Sequence, residues 1–141
     1  MNKLLLKKGR ERSLKRRHPW IFSGAVEKAG GKPGETLEVR DHSGQPLALA
    51  AYSPESQIRA RVWTFDVKED IDAQFFHSRI KKSVELRDCI PASRRTNALR
   101  LVHGESDGLP GLVVDRYDDV LVAQFLAAGT ERWREAILDA L

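Results

Sequence analysis

Residues 8–26, KGRERSLKRRHPWIFSGAV, decide how the first part of this 141-residue chain folds. A strongly basic run surrounds Leu14 and predicts a short helix over residues 10–17. Pro19 ends this helix, because the residue before a proline is disfavoured in helical backbone angles. An aromatic, turn-forming segment, residues 18–24, follows directly. Basic side chains beside aromatic rings suit a phosphate backbone and unstacked bases.

The positive charge of the chain is concentrated in residues 1–18. They carry eight lysines and arginines against one acid, Glu11, which is a net charge of +7. The remaining residues carry 16 basic and 19 acidic side chains, a net charge of −3. A local field of that sign attracts polyanions. The alternative interpretation is a solvated basic arm, since charge runs often have no partner.

Composition excludes several classes of protein. The chain has enough apolar residues for one ordinary domain or two small ones. It contains no apolar run near the ~18 residues that cross a bilayer. We expect no secretory signal, because no apolar stretch follows the N-terminal charges. Cys89 is the only cysteine, which excludes an internal disulfide and a cysteine-based zinc site. From these features together we expect a cytoplasmic protein. The four histidines have no metal-ligand spacing, so we expect no metal site.

The first 70 residues predict a mainly β structure. Leu4, Leu5 and Leu6 indicate a strand, and residues 29–34 form a turn-rich connector. Three further strands are predicted over residues 35–41, 46–52 and 58–65. Residues of the last strand alternate, so that one face carries Arg59, Arg61, Trp63 and Phe65. That face is either a binding surface or a partly covered outer face.

The second half predicts a helix, a polar joint, strands and a terminal helix. Asp70 or Asp72 is the expected N-cap of a helix that ends near residue 88. Strands are predicted over residues 99–102, 112–115 and 120–126, the last two as a hairpin. Thr130 is the expected cap of the last helix, which has no stop signal. We therefore expect this sequence to be the front part of a longer one.

The motif GESDG at residues 104–108 matches the G-x-S-x-G pattern of serine hydrolases. That mechanism requires a helix after the serine, whereas a turn and a strand follow here. His103, Glu105, Ser106 and Asp107 lie in one turn, where such side chains usually fix the turn instead of forming a triad. No glycine loop for a nucleotide or for S-adenosylmethionine is present. We therefore expect no catalytic and no cofactor-binding residue in this chain.

Several motifs together resemble a known family over nearly the whole chain. They are KGRERSL (8–14), RHPWIFSGAV (17–26), AYSP (51–54), IRARVW (58–63), RLV (100–102), GESDGLPGL (104–112) and VDRY (114–117). They are similar to the front part of the bacterial large-subunit ribosomal RNA methyltransferase I family, which methylates C5 of a cytosine in 23S rRNA.

The resemblance implies an α+β fold. Residues 1–70 would be a PUA-like RNA-binding domain, a small β-barrel with short helices. Residues 71–141 would be the first part of a central domain, with a helix, a hairpin region and a terminal helix. The Rossmann domain that binds S-adenosylmethionine and holds the catalytic cysteines of the family would lie beyond them, and Cys89 matches none of the catalytic cysteine motifs.

Both the basic and aromatic residues of the first domain and the family resemblance predict that RNA binds to this domain. The basic residues expected at phosphate are Lys8, Arg10, Arg12, Lys15, Arg16 and Arg17, with Arg59 and Arg61 as second-rank candidates. We expect Trp20 to fill the barrel core, the alternative being that it stacks on a base. The segment from Gly104 to Tyr117 is interpreted as a structural turn that docks the further domain.

Two hypotheses on function follow. The first is the RNA-binding portion of an S-adenosylmethionine-dependent 23S rRNA (cytosine-5) methyltransferase, which targets that enzyme to ribosomal RNA. The alternative is a stand-alone PUA-type RNA-binding protein without catalysis. In both, the partner is RNA and not a membrane.

Overall fold

The computed structural model describes every residue from Met1 to Leu141. The residues form two compact units, Met1–Asp70 and Ile71–Leu141. Both units combine strands with helices, so the predicted α+β class is confirmed. No helix has the length and apolar composition that crossing a bilayer requires.

The first unit is built on one six-stranded sheet. Its elements are β1 (Lys3–Leu6), α1 (Arg12–Lys15), β2 (Trp20–Phe22), β3 (Val26–Ala29), β4 (Thr36–Arg40), β5 (Pro46–Tyr52) and β6 (Ile58–Thr64). The strands lie in the order β2-β6-β5-β4-β1-β3. All neighbours are antiparallel except β1 and β4. The predicted strands in residues 3–8, 35–41, 46–52 and 58–65 are therefore confirmed.

Alternate residues of these strands face a shared apolar core, as the two-residue period of a strand requires. The core consists of Leu4, Leu6, Leu14, Ile21, Leu37, Val39, Ala48, Ala50, Tyr52, Ala60 and Val62. Leu14 is the contribution of α1. A four-residue helix is unstable by itself, and this buried side chain ties it to the sheet.

The sequence does not predict β2 and β3, which are the two edge strands of the sheet. Strand β2 pairs with β6, and β3 pairs with β1. Such short segments become strands because a neighbour supplies their hydrogen bonds and not because of their own propensity. The turn-forming residues around them therefore hide them from a reading of the sequence.

The second unit packs helices with a three-stranded antiparallel sheet. Its elements are α2 (Ala73–Asp88), β7 (Ala98–His103), β8 (Leu112–Tyr117), β9 (Val120–Phe125), α3 (Ala128–Arg132) and α4 (Arg134–Ala140), with the strands in the order β7-β8-β9. The carboxylate of Asp72 accepts a hydrogen bond from the Phe75 N–H at 2.9 Å and caps α2. The Ser83 hydroxyl donates to the Leu101 carbonyl at 2.6 Å and joins α2 to β7. The predicted capped helix and hairpin are confirmed.

The end of the second unit differs from the single capped helix that the sequence predicts. The helical path breaks at Trp133, where φ is −99° and ψ is 15°. Thr130 is not a cap but lies buried inside α3. Its hydroxyl donates to the Ala127 carbonyl at 2.9 Å, with the Gly111 carbonyl at 3.3 Å. A hydrogen bond to the backbone thus uses the hydroxyl that the sequence assigns to a cap.

Candidate nucleic-acid interface

The turn before α1 places the first basic side chains at the surface. Gly9 has a φ of +79°, a conformation that glycine adopts without steric cost. The Arg10 N–H donates to the Lys7 carbonyl at 3.0 Å and closes the turn. Lys8 and Arg10 are both exposed on this turn. The chain then enters α1, which Leu14 holds against the sheet.

A Schellman motif ends α1 and fixes the next basic residues. The His18 N–H donates to the Ser13 carbonyl at 3.0 Å, and the Arg17 N–H donates to the Leu14 carbonyl at 2.9 Å. The motif requires a left-handed residue, and Arg17 occupies that position with a φ of +67°. A residue other than glycine there costs about 1–2 kcal/mol of backbone strain. The α1 C-terminus therefore holds an arginine where glycine would be easier.

The Arg17 side chain lies against the ring of Phe65, the residue that follows β6. Its guanidinium carbon is 4.8 Å from the ring centroid of Phe65. A cation–π contact at the surface contributes roughly 0.5–1 kcal/mol, which offsets part of the strain at this residue. The contact also positions the Arg17 guanidinium, which lines the groove described next.

Four arginines line one open groove of about 690 Å³. They are Arg10, Arg12, Arg16 and Arg17, and Gly9, Ser13, His18 and Pro19 complete the wall. All four arginines are exposed. The planar guanidinium group donates two parallel hydrogen bonds to a phosphate, and it keeps its charge at any physiological pH. The groove therefore suits a chain of phosphates.

The other predicted RNA-contacting residues lie outside the groove wall. Lys8 and Lys15 are exposed but are not among the lining residues. The Ser43 hydroxyl is the main cause that holds the pKa of Asp41 below its usual value, and the positive charge of Lys15 adds a smaller contribution. The structure thus brings four of the six first-rank residues together and leaves these two lysines apart.

Arg59 and Arg61 lie on β6 and are half-buried. Arg61 is opposite Trp20 in the pairing of β2 with β6, and the Nε atoms of both arginines are buried. On the same strand face, Trp63 is only 2% exposed. This face of β6 is therefore partly covered. Neither arginine lines the groove.

Trp20 does not fill the barrel core, so the prediction for this residue is wrong. Along β2 the two-residue period turns Ile21 inward, opposite Ala60, and turns Trp20 and Phe22 outward. The ring centroids of Trp20 and Phe22 are 6.2 Å apart in an edge-to-face arrangement, and His18 lies 6.0 Å from Trp20. Had β2 been predicted, its alternation would have given this orientation.

A smaller pocket of about 180 Å³ lies beside these rings. Its wall consists of Leu6, Arg10, Ser13, Leu14, Trp20, Ile21, Phe22, Gly24 and Ala25. Arg10 and Ser13 belong both to this pocket and to the arginine groove. The aromatic segment is visible in the sequence but the pocket is not, because its wall combines residues of β1, α1 and β2.

The segment from Gly104 to Tyr117 acts within the second unit. The Asp107 carboxylate accepts hydrogen bonds from Arg87 of α2 at 2.7 Å and from the His103 N–H at 2.7 Å. Burial acts to raise the pKa of Asp107, but these hydrogen bonds outweigh it and hold the pKa below the usual value. The segment thus contains an ion pair that joins α2 to the turn between β7 and β8.

The groove and the sheet around it coincide with a recognised domain. Residues 4–65 match the family model of a PUA-like domain. Two solved structures share the fold: a Streptococcus mutans protein assigned as an S-adenosylmethionine-dependent methyltransferase, and a protein assigned as a methyltransferase and solved with SAH. They have TM-scores of 0.85 and 0.86 at 20% identity, and the match covers 99% of this chain and 37% and 36% of theirs.

Curated proteins match at much higher identity. The chain is 54% identical over 141 residues to ribosomal RNA large subunit methyltransferase I of Escherichia coli, and 53% identical to the protein of the same name from Cronobacter sakazakii. Each alignment covers 99% of this chain and 36% of the relative. The chain therefore spans about a third of the length of these relatives, and the resemblance that the sequence motifs indicate is confirmed.

Proposed function

We propose that this chain, whose whole length is similar to ribosomal RNA large subunit methyltransferase I and which contains a PUA-like domain, is the RNA-binding portion of a 23S rRNA (cytosine-5) methyltransferase. The groove lined by Arg10, Arg12, Arg16 and Arg17 is the observation that carries this proposal. Its task is to hold ribosomal RNA so that the enzyme meets its target cytosine. A cytoplasmic location follows from that substrate.

The charge of the chain supports both steering and binding. The net charge of +7 in residues 1–18 attracts RNA before any contact forms. Lys8 and Lys15 contribute to this field from outside the groove. Within the groove, each guanidinium that meets a phosphate releases condensed counterions, and this release drives binding at low salt. Arg59 and Arg61, which are half-buried and lie outside the groove wall, remain the second-rank candidates for contact with RNA.

Methyl transfer requires S-adenosylmethionine, which we propose as the cofactor of the full-length enzyme. The residues of this chain do not fit a dinucleotide-type site for this cofactor. Such a site needs neighbouring parallel strands joined through a helix N-terminus. Here β1 and β4 form the parallel pair, and their other neighbours, β3 and β5, are antiparallel to them. The second unit is proposed as the first part of a central domain, with the Gly104–Tyr117 segment facing the further domain.

The proposal is tested by reversing the charge of the groove. The variant Arg10→Glu, Arg12→Glu, Arg16→Glu and Arg17→Glu should bind 23S rRNA at least 100-fold more weakly at 100 mM salt, because four phosphate contacts become repulsive. Its thermal transition should stay within a few degrees of wild type, since all four side chains are exposed. Binding is measured by filter retention of labelled 23S rRNA.

A matched control separates the groove from overall charge. The variant Lys82→Glu, Arg94→Glu, Arg95→Glu and Arg132→Glu changes the net charge equally at four exposed positions of the second unit. It should retain most of the affinity. Equal losses in the two variants, or equal binding by the groove variant and wild type, would contradict the proposed site.

A further inference from the structure

An aromatic cluster stands at the mouth of the smaller pocket. Phe22 is 50% exposed, although phenylalanine is a side chain that folding usually buries. It lies 6.2 Å from Trp20 and 6.4 Å from His18 between ring centroids. The His18 ring is held in place because its Nδ1 accepts a hydrogen bond from the Trp20 N–H at 3.1 Å. The Phe22 ring is therefore exposed to solvent on one side and packed beside the His18 and Trp20 rings on the other.

The pocket beside Phe22 has the size and the surroundings of a site for a planar ring. Its volume of about 180 Å³ is more than ten times the ~10–15 Å³ that a cavity needs to hold one water molecule. The apolar side chains of Leu6, Ile21 and Ala25 line it. It is therefore large enough for a ring-sized group, with apolar side chains for the ring faces and the polar Arg10 and Ser13 in the same wall.

The pocket and the groove form neighbouring parts of one surface. Arg10 and Ser13 lie in the walls of both, so a group in the pocket has the Arg10 side chain directly beside it. A nucleotide joins an aromatic base to a phosphate in the same way. Free aromatic metabolites without negative charge would leave the arginine wall unused.

We propose that the pocket is a binding site for one unpaired RNA base, which stacks on Phe22 while its backbone phosphates contact Arg10 and the arginine groove. This inference rests on the proposed function and adds the class of RNA: a single-stranded or looped segment and not a continuous duplex. Bases inside an A-form helix are stacked on each other and cannot reach an aromatic side chain. Stacking on a ring is tolerant of sequence because every base has a π-face.

The test compares two RNA probes and three variants of the full chain. The probes are a 12-nucleotide oligouridine with one central 2-aminopurine, and a blunt 12-base-pair RNA duplex. Phe22→Leu, which keeps apolar volume but removes the ring, should weaken binding of the single strand about 5- to 150-fold, the worth of one base–aromatic stack. Binding of the duplex should change less than twofold. The fluorescence quenching of 2-aminopurine by wild type should be lost.

Two control variants test the stacking chemistry. Phe22→Tyr keeps a ring and should restore both affinity and quenching. Tyr117→Ala removes an aromatic side chain that is equally exposed, at 53%, in the second unit, and it should behave as wild type. Thermal unfolding of Phe22→Leu should match wild type, because half of the side chain is exposed in the fold.

The outcomes separate this inference from the proposed function. If wild type binds both probes and Phe22→Leu loses neither affinity nor quenching, the base site is wrong while RNA binding stands. If wild type prefers the duplex, the proposed class of RNA is wrong. If wild type binds neither these probes nor 23S rRNA, the proposed function itself fails.

Discussion

At the scale of single residues, two positions have left-handed backbone conformations, and they differ in whether a side chain can be accommodated there. Arg17 has a φ of +67° and Gly111 a φ of +84°. Arg17 offsets part of its strain through the Phe65 ring, and in return the groove gains a positioned guanidinium. Gly111 has no such freedom, since a Cβ built there would lie 2.5 Å from the Cβ of Ala127. The first position tolerates a side chain and the second excludes one.

We predict that Gly111→Ala strongly destabilises the second unit. The left-handed backbone costs about 1–2 kcal/mol, and the overpacking against Ala127 costs about 1–3 kcal/mol more. The matched control is Gly104→Ala, whose φ is +50° but whose Cβ would meet only the Leu112 carbonyl at 3.9 Å. Urea unfolding measures both variants. Equal losses of unfolding free energy would show that the contact with Ala127 does not matter.

At the scale of elements, one ion pair links α2 to the turn between β7 and β8. Arg87 is 16% and Asp107 6% exposed in their side chains, with the two groups 2.7 Å apart. Arg87 also donates to the Arg100 carbonyl at 3.1 Å. Removing one partner of a buried pair leaves the other uncompensated, which costs about 3–5 kcal/mol. The GESDG segment at residues 104–108, which resembles a catalytic motif, is therefore held to α2 by this ion pair, called the Arg87–Asp107 clamp below.

This clamp predicts an acid-sensitive second unit. The pKa of Asp107 lies below its usual value in the fold, as does that of Asp115, chiefly because Arg100 donates a hydrogen bond to the Asp115 carboxylate. Between the lowered pKa of the folded state and the ordinary aspartate pKa of about 3.9, the unfolded chain binds more protons than the folded one. The two carboxylates therefore stabilise the fold fully above the ordinary pKa, and this stabilisation is lost as the pH falls through the folded-state pKa values.

We expect hydrogen exchange in the peptides covering residues 98–117 to be slow at pH 7 and to lose protection below about pH 4, after correction for intrinsic rates. Asp107→Asn should lose protection already at pH 7, and its difference from wild type should shrink toward pH 3. A difference that stays constant between pH 7 and pH 3 would contradict a role of the Asp107 charge.

At the scale of the whole molecule, the sequence predicts those elements that have a local sequence pattern of their own. Leu14 in a basic run, Asp72 before a helical stripe and the alternation of β6 each carry a local pattern, and the structure confirms them. The outward face of Trp20 depends on the pairing of β2 with β6, which no local pattern reveals. The arginine groove is half-predictable: its charges are visible in the sequence, whereas their separation from Lys15 depends on the packing of α1.

The central claim is that the groove binds RNA through phosphate contacts, and the salt dependence of affinity tests it most directly. The affinity of oligouridine is measured from 50 to 300 mM KCl for wild type and for the variant Arg10→Gln, Arg12→Gln and Arg16→Gln. The slope of log affinity against log salt should become shallower by about 0.7 for each lost contact, about 2 in all. An unchanged slope would contradict the account, because it would place the phosphates elsewhere.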